Sequence, residues 1–444
     1  MKMREKITRT LKIISVTVLV IGLLSLFGFF VQHAASHGQL LGPLTRPLLV
    51  FVNLPKTVLD FFEEIRGFPP TYTNKNQQVS QINNMQYDLF GLGSFYNDDD
   101  HLWEIRLFNF RTDSIIHTWN LKKEYYFMEG LQFKRSRPKN GILLPGKSII
   151  VYNNESNNLY RLDSLSNVIW HNTERNFHHS INVSHEGNIW VCTSGMRGFV
   201  SRRYGGQESY YRDDFITKVH SETGEILFNK SISEILMENG YKSFVYGYQT
   251  NWDKYTGYPD PIHLNDIEPV LHDGLYWKKG DLFISIRNKS LVFHYRPETN
   301  EIKHLIYGPF CNQHDVDVIS NDEISIFNNN STDLDWKGIE NDRRWTNKEI
   351  EIDKLIYSEI TIYNFKDSTF RRHLSHQFTE LRIFSHAEGL HQILSNGDVF
   401  VESDDNSMIY IFNEEQILLR KQYPTSDDNL VHIPNWTRIY ETLF

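Results

Sequence analysis

The chain has 444 residues and a formal charge of −9 at pH 7. This excess of acidic residues argues against broad binding to nucleic acid or anionic lipid, because those partners need a basic face. A hydrophobic content of 40% and an aromatic content of 14% exclude a disordered or fibrous chain. The two cysteines, Cys192 and Cys311, exclude a disulfide framework and a zinc ribbon, and are either separate buried thiols or one long-range pair.

In chain order, the first elements are a basic tail, 1–12, and an uncharged run, 13–32. The run (IISVTVLVIGLLSLFGFFVQ) has 20 residues, and the tail carries five Lys and Arg. A helix of this length crosses the hydrocarbon core of a bilayer, and its positive flank stays in the cytoplasm. We therefore expect a single-pass anchor in the cytoplasmic (inner) membrane, with the rest of the chain periplasmic or extracellular. A cleaved signal peptide is the alternative, although its apolar core is usually shorter.

Residues 33–95 are predicted to form a juxtamembrane segment and a linker. Residues 56–66 (KTVLDFFEEIR) have the apolar spacing of a helix, whereas 71–86 are polar and poor in aliphatic residues, which is typical of a loop. The remainder, 96–444, is predicted to form one β domain.

Short strand-like segments recur through this domain, with turn residues between them. One unit contains SIIVY at 148–152, LYRLD at 159–163 and VIW at 168–170, and the same order returns several times as far as residue 420. With the segment at 103–110, we count about six units, each a small antiparallel sheet. This repetition favours an all-β fold, a six-bladed β-propeller, over a β-sandwich. The loops of a propeller converge on one axis, so residues remote in sequence can meet there.

Several of the 19 histidines fall in short segments that interrupt the strand pattern. From His263 to Arg287 there are 24 residues, and from Arg287 to His314 there are 27, which is about the length of one unit. We expect these segments to meet on the axis. The candidate residues are His178, His179, His263, Asn265, Arg287, His314 and His391.

The order His-x-Asn, then Ser-x-Arg at a strand end, then Gln-His resembles the pattern of the arylsulfate sulfotransferase family. The resemblance covers roughly residues 178–391. It implies a six-bladed propeller outside the cytoplasm that moves a sulfuryl group from an aryl sulfate to a phenolic or other hydroxyl acceptor. The family uses a sulfated histidine and needs neither the nucleotide donor PAPS nor another cofactor.

The resemblance also implies roles for individual residues. His314 would be the nucleophile, and Arg287 and His263 would hold the sulfuryl oxygens. The substrate-binding residues would be His178 or His179, Asn265 and, as an approximate match, His391. The family's best-known branch has Thr after the Gln-His pair, where this sequence has Asp315.

These residue types suit the chemistry on their own terms. A neutral imidazole is a good nucleophile near pH 7, and covalent capture divides one difficult transfer into two easier ones. A guanidinium can contact two oxygens of an oxyanion at once. A protonated imidazole can stabilise developing charge or protonate a leaving phenolate.

Two other functions remain open at this stage. One is a propeller that binds a sulfated or other anionic ligand without turnover, as a sensor or scaffold. The other is a metal site, for which Arg287 is unfavourable because a guanidinium amid cations is costly. We expect no metal, no cofactor and no nucleic-acid partner, and the oligomeric state is not predicted. The candidate metal ligands are His178, His179, His263, Asp266, His314 and Asp315.

Overall fold

The computed structural model describes residues 17–20, 22–23, 25–28, 72–76, 79–122, 137–201, 207–247, 259–331 and 357–443. The chain divides into two compact units, Met1–Pro69 and Pro70–Phe444. In the first unit, the described residues within 17–28 are helical. The basic tail 1–12, half of the expected anchor 13–32 and the expected helix 56–66 lie outside the described residues. Among the residues that are described, no helix is both long and apolar enough to cross a bilayer.

The described part of the second unit consists mainly of β-strands. Its first half contains β1 (Tyr72–Asn74), β2 (Ile82–Asn83), β3 (Phe90–Asn97), β4 (Leu102–Asn109), β5 (Ile115–Asn120), β6 (Pro138–Leu144), β7 (Ser148–Asn153), β8 (Leu159–Leu162), β9 (Val168–Asn172), β10 (Asn176–Val183), β11 (Ile189–Ser201), β12 (Gln207–Val219) and β13 (Ile226–Ser231). Its second half contains β14 (Leu264–Pro269), β15 (Leu282–Ile286), β16 (Leu291–Arg296), β17 (Glu301–Ile306), β18 (Val316–Val318), β19 (Glu323–Asn328), β20 (Glu359–Asn364), β21 (Thr369–His373), β22 (Leu390–Ile393), β23 (Val399–Ser403), β24 (Met408–Phe412), β25 (Ile417–Lys421), β26 (Tyr423–Pro424), β27 (Leu430–His432) and β28 (Arg438–Tyr440). The short helices are α1 (Ile232–Glu238), α2 (Lys242–Tyr246) and α3 (Ser375–Glu380), with 3-10 turns at Pro145–Lys147 and Arg287–Lys289.

Within the described ranges, the strands form six antiparallel sheets of four or five strands and one sheet of three strands. Four sheets are runs of consecutive strands: β6 to β9, β10 to β13, β14 to β17, and β18 to β21. The other two large sheets, β28-β3-β4-β5 and β2-β25-β24-β23-β22, each combine strands from both ends of the unit. The prediction of an all-β fold with small antiparallel sheets is therefore confirmed.

The β unit begins before the predicted boundary at residue 96. Strands β1, β2 and most of β3 fall within the segment predicted as a linker, and Pro70 starts the compact unit. These strands pair with late strands, since Tyr72 lies opposite His432 and Ile82 lies opposite Arg420. The polar composition of 71–86 concealed them, because short edge strands have few positions that need apolar side chains.

The hydrophobic core lies between the sheets. All residues of β15 (LFISI) and all but the last of β16 (LVFHYR) are buried, as expected for strands covered on both faces. Burial of each large apolar side chain contributes roughly 1.5–3 kcal/mol. The one histidine of β16, His294, is compensated by Asp281, whose Oδ2 lies 2.8 Å from its Nε2.

Both cysteines are free thiols, so the disulfide alternative is wrong. Cys192 is buried in the core, as its apolar strand predicts. Cys311 is exposed, and its thiol donates to the carbonyl of Ser331 at 3.0 Å.

Candidate active site

Apart from His391, which lies in β22, the predicted site residues come from three neighbouring sheets. His178 and His179 lie in β10, His263 directly precedes β14, Arg287 directly follows β15, and His314 lies two residues before β18. Strands β10, β14 and β18 are the first strands of their sheets, and β14 packs against both of the others. This arrangement brings together segments that are far apart in sequence.

Two of the histidines have an unusual backbone conformation. His179 and His263 have φ values of 52° and 53°, in the left-handed region that non-glycine residues seldom adopt. The strand register also shifts beside each of them, between His178 and Ile181 and between Leu264 and Asp266. Such a bulge turns a side chain out of the regular alternation of a strand, at a cost of about 1–3 kcal/mol for each strained residue.

The imidazole rings meet around His179. Its ring centroid lies 5.0 Å from that of His263 and 6.1 Å from that of His314. The indole ring of Trp436 lies 6.1 Å away on another side. The backbone N–H of Arg287 donates to the carbonyl of His263 at 3.0 Å, which places the start of the Arg287 turn beside this group. The structure thus brings His179, His263, His314 and Arg287 into one neighbourhood.

The hydrogen bonds of His314 determine its tautomer. Asn329 lies beside it, and the Asn329 Nδ2 donates to the carbonyls of Ser385 and Glu388 at 2.9 and 2.7 Å. Because carbonyls only accept, these bonds fix the amide so that its Oδ1 faces the His314 Nδ1 at 2.8 Å. The proton of the ring therefore resides on Nδ1. The Nε2 accepts from the backbone N–H of Glu388 at 3.1 Å and carries the lone pair.

His314 is also held in its neutral form. It is 1% exposed, and burial lowers the pKa of His314 to about 3, with a further contribution from the positive charge of Arg287. Loss of solvation disfavours the imidazolium, and a nearby cation acts in the same direction. At neutral pH this ring therefore presents an unprotonated Nε2.

The structure distinguishes the two adjacent histidines, which the sequence could not. His179 faces the rings of His263 and His314, whereas His178 is fully buried behind it. The two Nδ1 atoms are 2.7 Å apart, and the His178 Nε2 lies 3.3 Å from the Asp214 Oδ1. Burial and the neighbouring histidines lower the pKa of His179 well below its usual range.

His263 is oriented by Asp260 and is the more open ring of the group. The Asp260 Oδ2 lies 2.7 Å from the His263 Nδ1, and its Oδ1 accepts the backbone N–H of His263 at 3.2 Å. A carboxylate at Nδ1 requires a proton on that nitrogen. The side chain is 25% exposed, so ligands can approach this ring from solvent.

Arg287 opens a 3-10 turn at the end of β15, and the residue is 8% exposed. Its Nη1 donates to the Asn288 Oδ1 at 3.1 Å, and the Asn288 Nδ2 donates to the carbonyl of Asp260 at 2.8 Å. The same turn thus supports both the guanidinium and the residue that orients His263.

Two predicted substrate-binding residues make bonds within the protein. The Asn265 Nδ2 donates to the carbonyl of Gln313 at 2.6 Å, which links the His263 segment to the residue before His314. His391 lies beside Asp315, with its Nδ1 2.8 Å from the Asp315 Oδ2 and its Nε2 2.7 Å from the Ser325 Oγ. Asp315 therefore contacts His391 in the structure.

Sequence reasoning missed Asn329, Asp214 and an ion cluster around Glu388. The Glu388 carboxylate lies 2.7 Å from the Lys139 Nζ, 3.4 Å from Arg137 and 3.0 Å from the Asn435 Nδ2. Burial by itself would raise the pKa of Glu388, but the positive charges of Lys139 and Arg137 hold this pKa well below its usual range. The run of Asn at 328–330, at the end of β19, was a signal for Asn329. Asp214 and Lys139 lie within strands, where the sequence pattern does not mark them as site residues.

Among the residues that the structure describes, two groups of side chains have donor atoms close enough together for a metal ion, within 4.8 Å of one another: Glu155, His178 and His179, and Asp315, Asp317 and His391. In both groups, protein atoms already occupy donors. Glu155 pairs with Arg212 at 3.0 Å, and both ring nitrogens of His391 are hydrogen-bonded. We therefore assign no metal to either group.

Together, these observations define an all-β protein with a buried, neutral histidine beside an arginine and two further imidazoles. Residues 140–422 match the arylsulfotransferase (ASST) family, and the chain belongs to this family. The predicted family is thereby confirmed. No curated protein matches the sequence.

Similar solved structures are distant. They include the hydrazine synthase of Kuenenia stuttgartiensis, at 12% identity and a TM-score of 0.42, covering 70% of each chain. The Dos1 propeller has 11% identity and a TM-score of 0.39, covering 81% of this chain and 76% of that one. A catalytically inactive virginiamycin B lyase from Staphylococcus aureus with quinupristin has 10% identity and a TM-score of 0.38, covering 80% and 88%.

Proposed function

We propose that the protein is an arylsulfate sulfotransferase that moves a sulfuryl group from an aryl sulfate to a phenolic or other hydroxyl acceptor through a sulfated His314. One observation carries this proposal. The Nε2 of His314 is unprotonated because Asn329 fixes the proton on Nδ1, and Arg287 lies close enough for its charge to act on the same ring. A neutral nucleophile beside a fixed cation suits attack on an anionic ester.

In the first half-reaction, the lone pair of the His314 Nε2 attacks the sulfur. The bond between sulfur and the aryl oxygen breaks, and that oxygen leaves with the electron pair as a phenolate. In the resting state, the backbone N–H of Glu388 donates to Nε2 at 3.1 Å. This hydrogen bond breaks when Nε2 bonds to the sulfur. The N–H is then positioned to donate to a sulfuryl oxygen.

In the second half-reaction, an acceptor hydroxyl attacks the sulfur and gives up its proton to a neighbouring imidazole, and the electron pair of the N–S bond returns to Nε2. Asn329 contributes because an amide oxygen accepts the Nδ1 hydrogen bond but does not take the proton. The sulfated ring therefore keeps its positive charge and departs as neutral imidazole. A carboxylate in place of Asn329 would make the ring a poorer leaving group.

Arg287 and His263 hold the sulfuryl oxygens in this mechanism. A guanidinium offers several N–H donors in one plane. In its protonated form, His263 donates from Nδ1 to Asp260 and has a second N–H, on Nε2, that can donate to a sulfuryl oxygen. Asn265 and His391 support the pocket through their bonds to Gln313 and Asp315.

The proposal extends to architecture and location. The six large sheets would be the six blades of a β-propeller, with the pocket on its axis. Residues 13–32 would anchor the protein in the cytoplasmic membrane, with the catalytic domain on the periplasmic or extracellular side. The apolar length of that segment and its five preceding basic residues support this orientation.

The test is incubation of the full-length protein with 4-nitrophenyl sulfate, with and without phenol. We expect nitrophenol release that depends on the acceptor, and mass spectrometry of the quenched protein should find the sulfuryl group on the peptide that contains His314. His314→Ala should abolish both signals. His294→Ala is the matched control, because that buried histidine pairs with Asp281 away from the pocket and its loss should leave sulfation intact.

The alternative of a ligand-binding protein without turnover predicts a different result. Phenyl sulfate would bind to the parent and to His314→Ala with similar affinity, and no donor would yield a sulfated peptide. That outcome would overturn the enzymatic proposal and favour a sensor or scaffold.

A further inference from the structure

Behind the pocket, three side chains form a row. His179 faces the pocket, the His178 Nδ1 lies 2.7 Å from the His179 Nδ1, and the His178 Nε2 lies 3.3 Å from the Asp214 Oδ1. His178 and Asp214 are both fully buried. Two ring nitrogens at this distance hold one proton between them, because two lone pairs or two N–H groups would repel each other. The two rings are therefore coupled, because protonation of one ring changes the position of the proton that they share.

A positive charge on His179 would be costly. The ring is almost entirely buried, and Lys139, His263 and His314 lie around it together with His178, so that its pKa is well below the usual range. Any proton that His179 accepts from a substrate would add a charge to an already cationic pocket.

At the opposite end of the row, Asp214 can stabilise a positive charge on His178. The Asp214 carboxylate accepts the backbone N–H of Leu264 at 2.6 Å, and the Arg212 Nε lies 3.4 Å away. Burial by itself would raise the pKa of Asp214, but the neighbouring His178 and Arg212 hold this pKa well below its usual range. The carboxylate of Asp214 is therefore ionised and lies beside His178. Arg212 in turn pairs with Glu155 at 3.0 Å.

We propose that Asp214, His178 and His179 form a proton relay that serves the acceptor half-reaction, an inference that rests on the proposed sulfotransferase function. As the acceptor oxygen attacks sulfur, its proton passes to the His179 Nε2. The shared proton moves from the His179 Nδ1 to the His178 Nδ1, so the positive charge resides on His178 beside Asp214. In the next donor half-reaction the proton returns along the row and is delivered to the leaving phenolate, and no net proton is gained or lost.

In this relay, His179 contacts the substrate, whereas His178 and Asp214 are positioning residues. The test uses His178→Gln, which retains a polar side chain but cannot carry the proton, and Asp214→Asn, which removes the charge. Single-turnover transfer from sulfated enzyme to phenol should slow by roughly 10²-fold in each variant, the lower end of what a positioned base supplies. At pH 8, where 4-nitrophenol is largely ionised and phenol is not, transfer to 4-nitrophenol should change little, as should the nitrophenol burst from 4-nitrophenyl sulfate.

The matched control is His294→Gln, because His294 belongs to a buried His–Asp pair of the same kind outside the pocket. It should slow phenol and 4-nitrophenol equally or not at all. Variants at His178 and Asp214 that slow both acceptors alike, or neither, overturn the relay. A parent enzyme that releases no nitrophenol and forms no sulfated His314 instead overturns the proposed function itself.

A second measurement uses only the unsubstituted protein, so it does not depend on whether the variants fold. With a relay, the rate of transfer at pH 7 should depend weakly on the pKa of the acceptor phenol, because the enzyme removes the proton. A steep rise in rate with phenol acidity in the parent would overturn the relay.

Discussion

Replacement of Asn329 by Ala tests whether its amide assists sulfuryl capture. In the resting protein, the bond between the His314 Nδ1 and the Asn329 Oδ1, at 2.8 Å, joins two neutral groups. In the proposed mechanism, the ring becomes positive as Nε2 attacks sulfur, and the same bond becomes charge-assisted. Only the part of the interaction that strengthens in the transition state accelerates the step.

The magnitude follows from these two states. A buried bond between neutral groups contributes about 0.5–1.5 kcal/mol, and one to a charged group about 1.5–3 kcal/mol. The difference is about 1–1.5 kcal/mol, which corresponds to a rate reduction of roughly 5- to 13-fold. The Glu388 N–H still faces Nε2, so the tautomer of His314 is preserved and a larger loss is not expected.

The assay is a rapid-quench measurement of the nitrophenol burst with saturating 4-nitrophenyl sulfate. Asn328→Ala is the matched control, because this neighbouring amide is also fully buried but donates to the carbonyl of Pro309 at 3.1 Å, away from His314. An unchanged burst rate in Asn329→Ala refutes the reasoning. So does an equal reduction in both variants, since that would reflect loss of stability alone.

Three further predictions concern stability. Burial and a neighbouring carboxylate raise the pKa of Asp266 to about 8, so the free energy of unfolding should fall as pH rises from about 4 to about 8. Urea denaturation of Asp266→Asn should show a shallower decline, and equal slopes would contradict this. Lys139→Met should cost about 3 kcal/mol because it removes the cation 2.7 Å from the Glu388 carboxylate, and adding Glu388→Gln should restore part of it. Gly389→Ala, whose Cβ would lie 2.5 Å from a buried ring, should cost about 1–3 kcal/mol more than Gly397→Ala, which has a similar positive φ but open space; similar melting temperatures would disprove the clash.

The sequence predicted several of the residues that cluster around His314, because they interrupt the strand pattern. His263, Arg287 and His314 lie at or near strand ends, where side chains need not be apolar. The three residues are close together in the structure. The pair His178 and His179 was also found, although its two members could not be told apart. The bulge that turns them in different directions depends on pairing with β11, and this pairing is not visible from one segment.

The residues that were missed act from other strands and turns. Asn329 fixes the His314 tautomer only because Ser385 and Glu388 accept from its other side. Asp214 is a strand residue, and its contact with His178 crosses from β12 to β10. Partners of this kind are selected by three-dimensional packing, and their spacing in the sequence carries no signal.

By itself, the sequence determined the all-β class, the small antiparallel sheets and the family, because strand alternation, turn residues and the His-x-Asn, Ser-x-Arg and Gln-His segments are local. The tertiary structure decided where the β unit begins, since β1 and β2 are strands only by pairing with β27 and β25. It also decided the protonation of His314 and which of the paired histidines faces His263 and His314. These properties depend on burial and on hydrogen bonds between distant segments, and such bonds form only when the sheets have assembled.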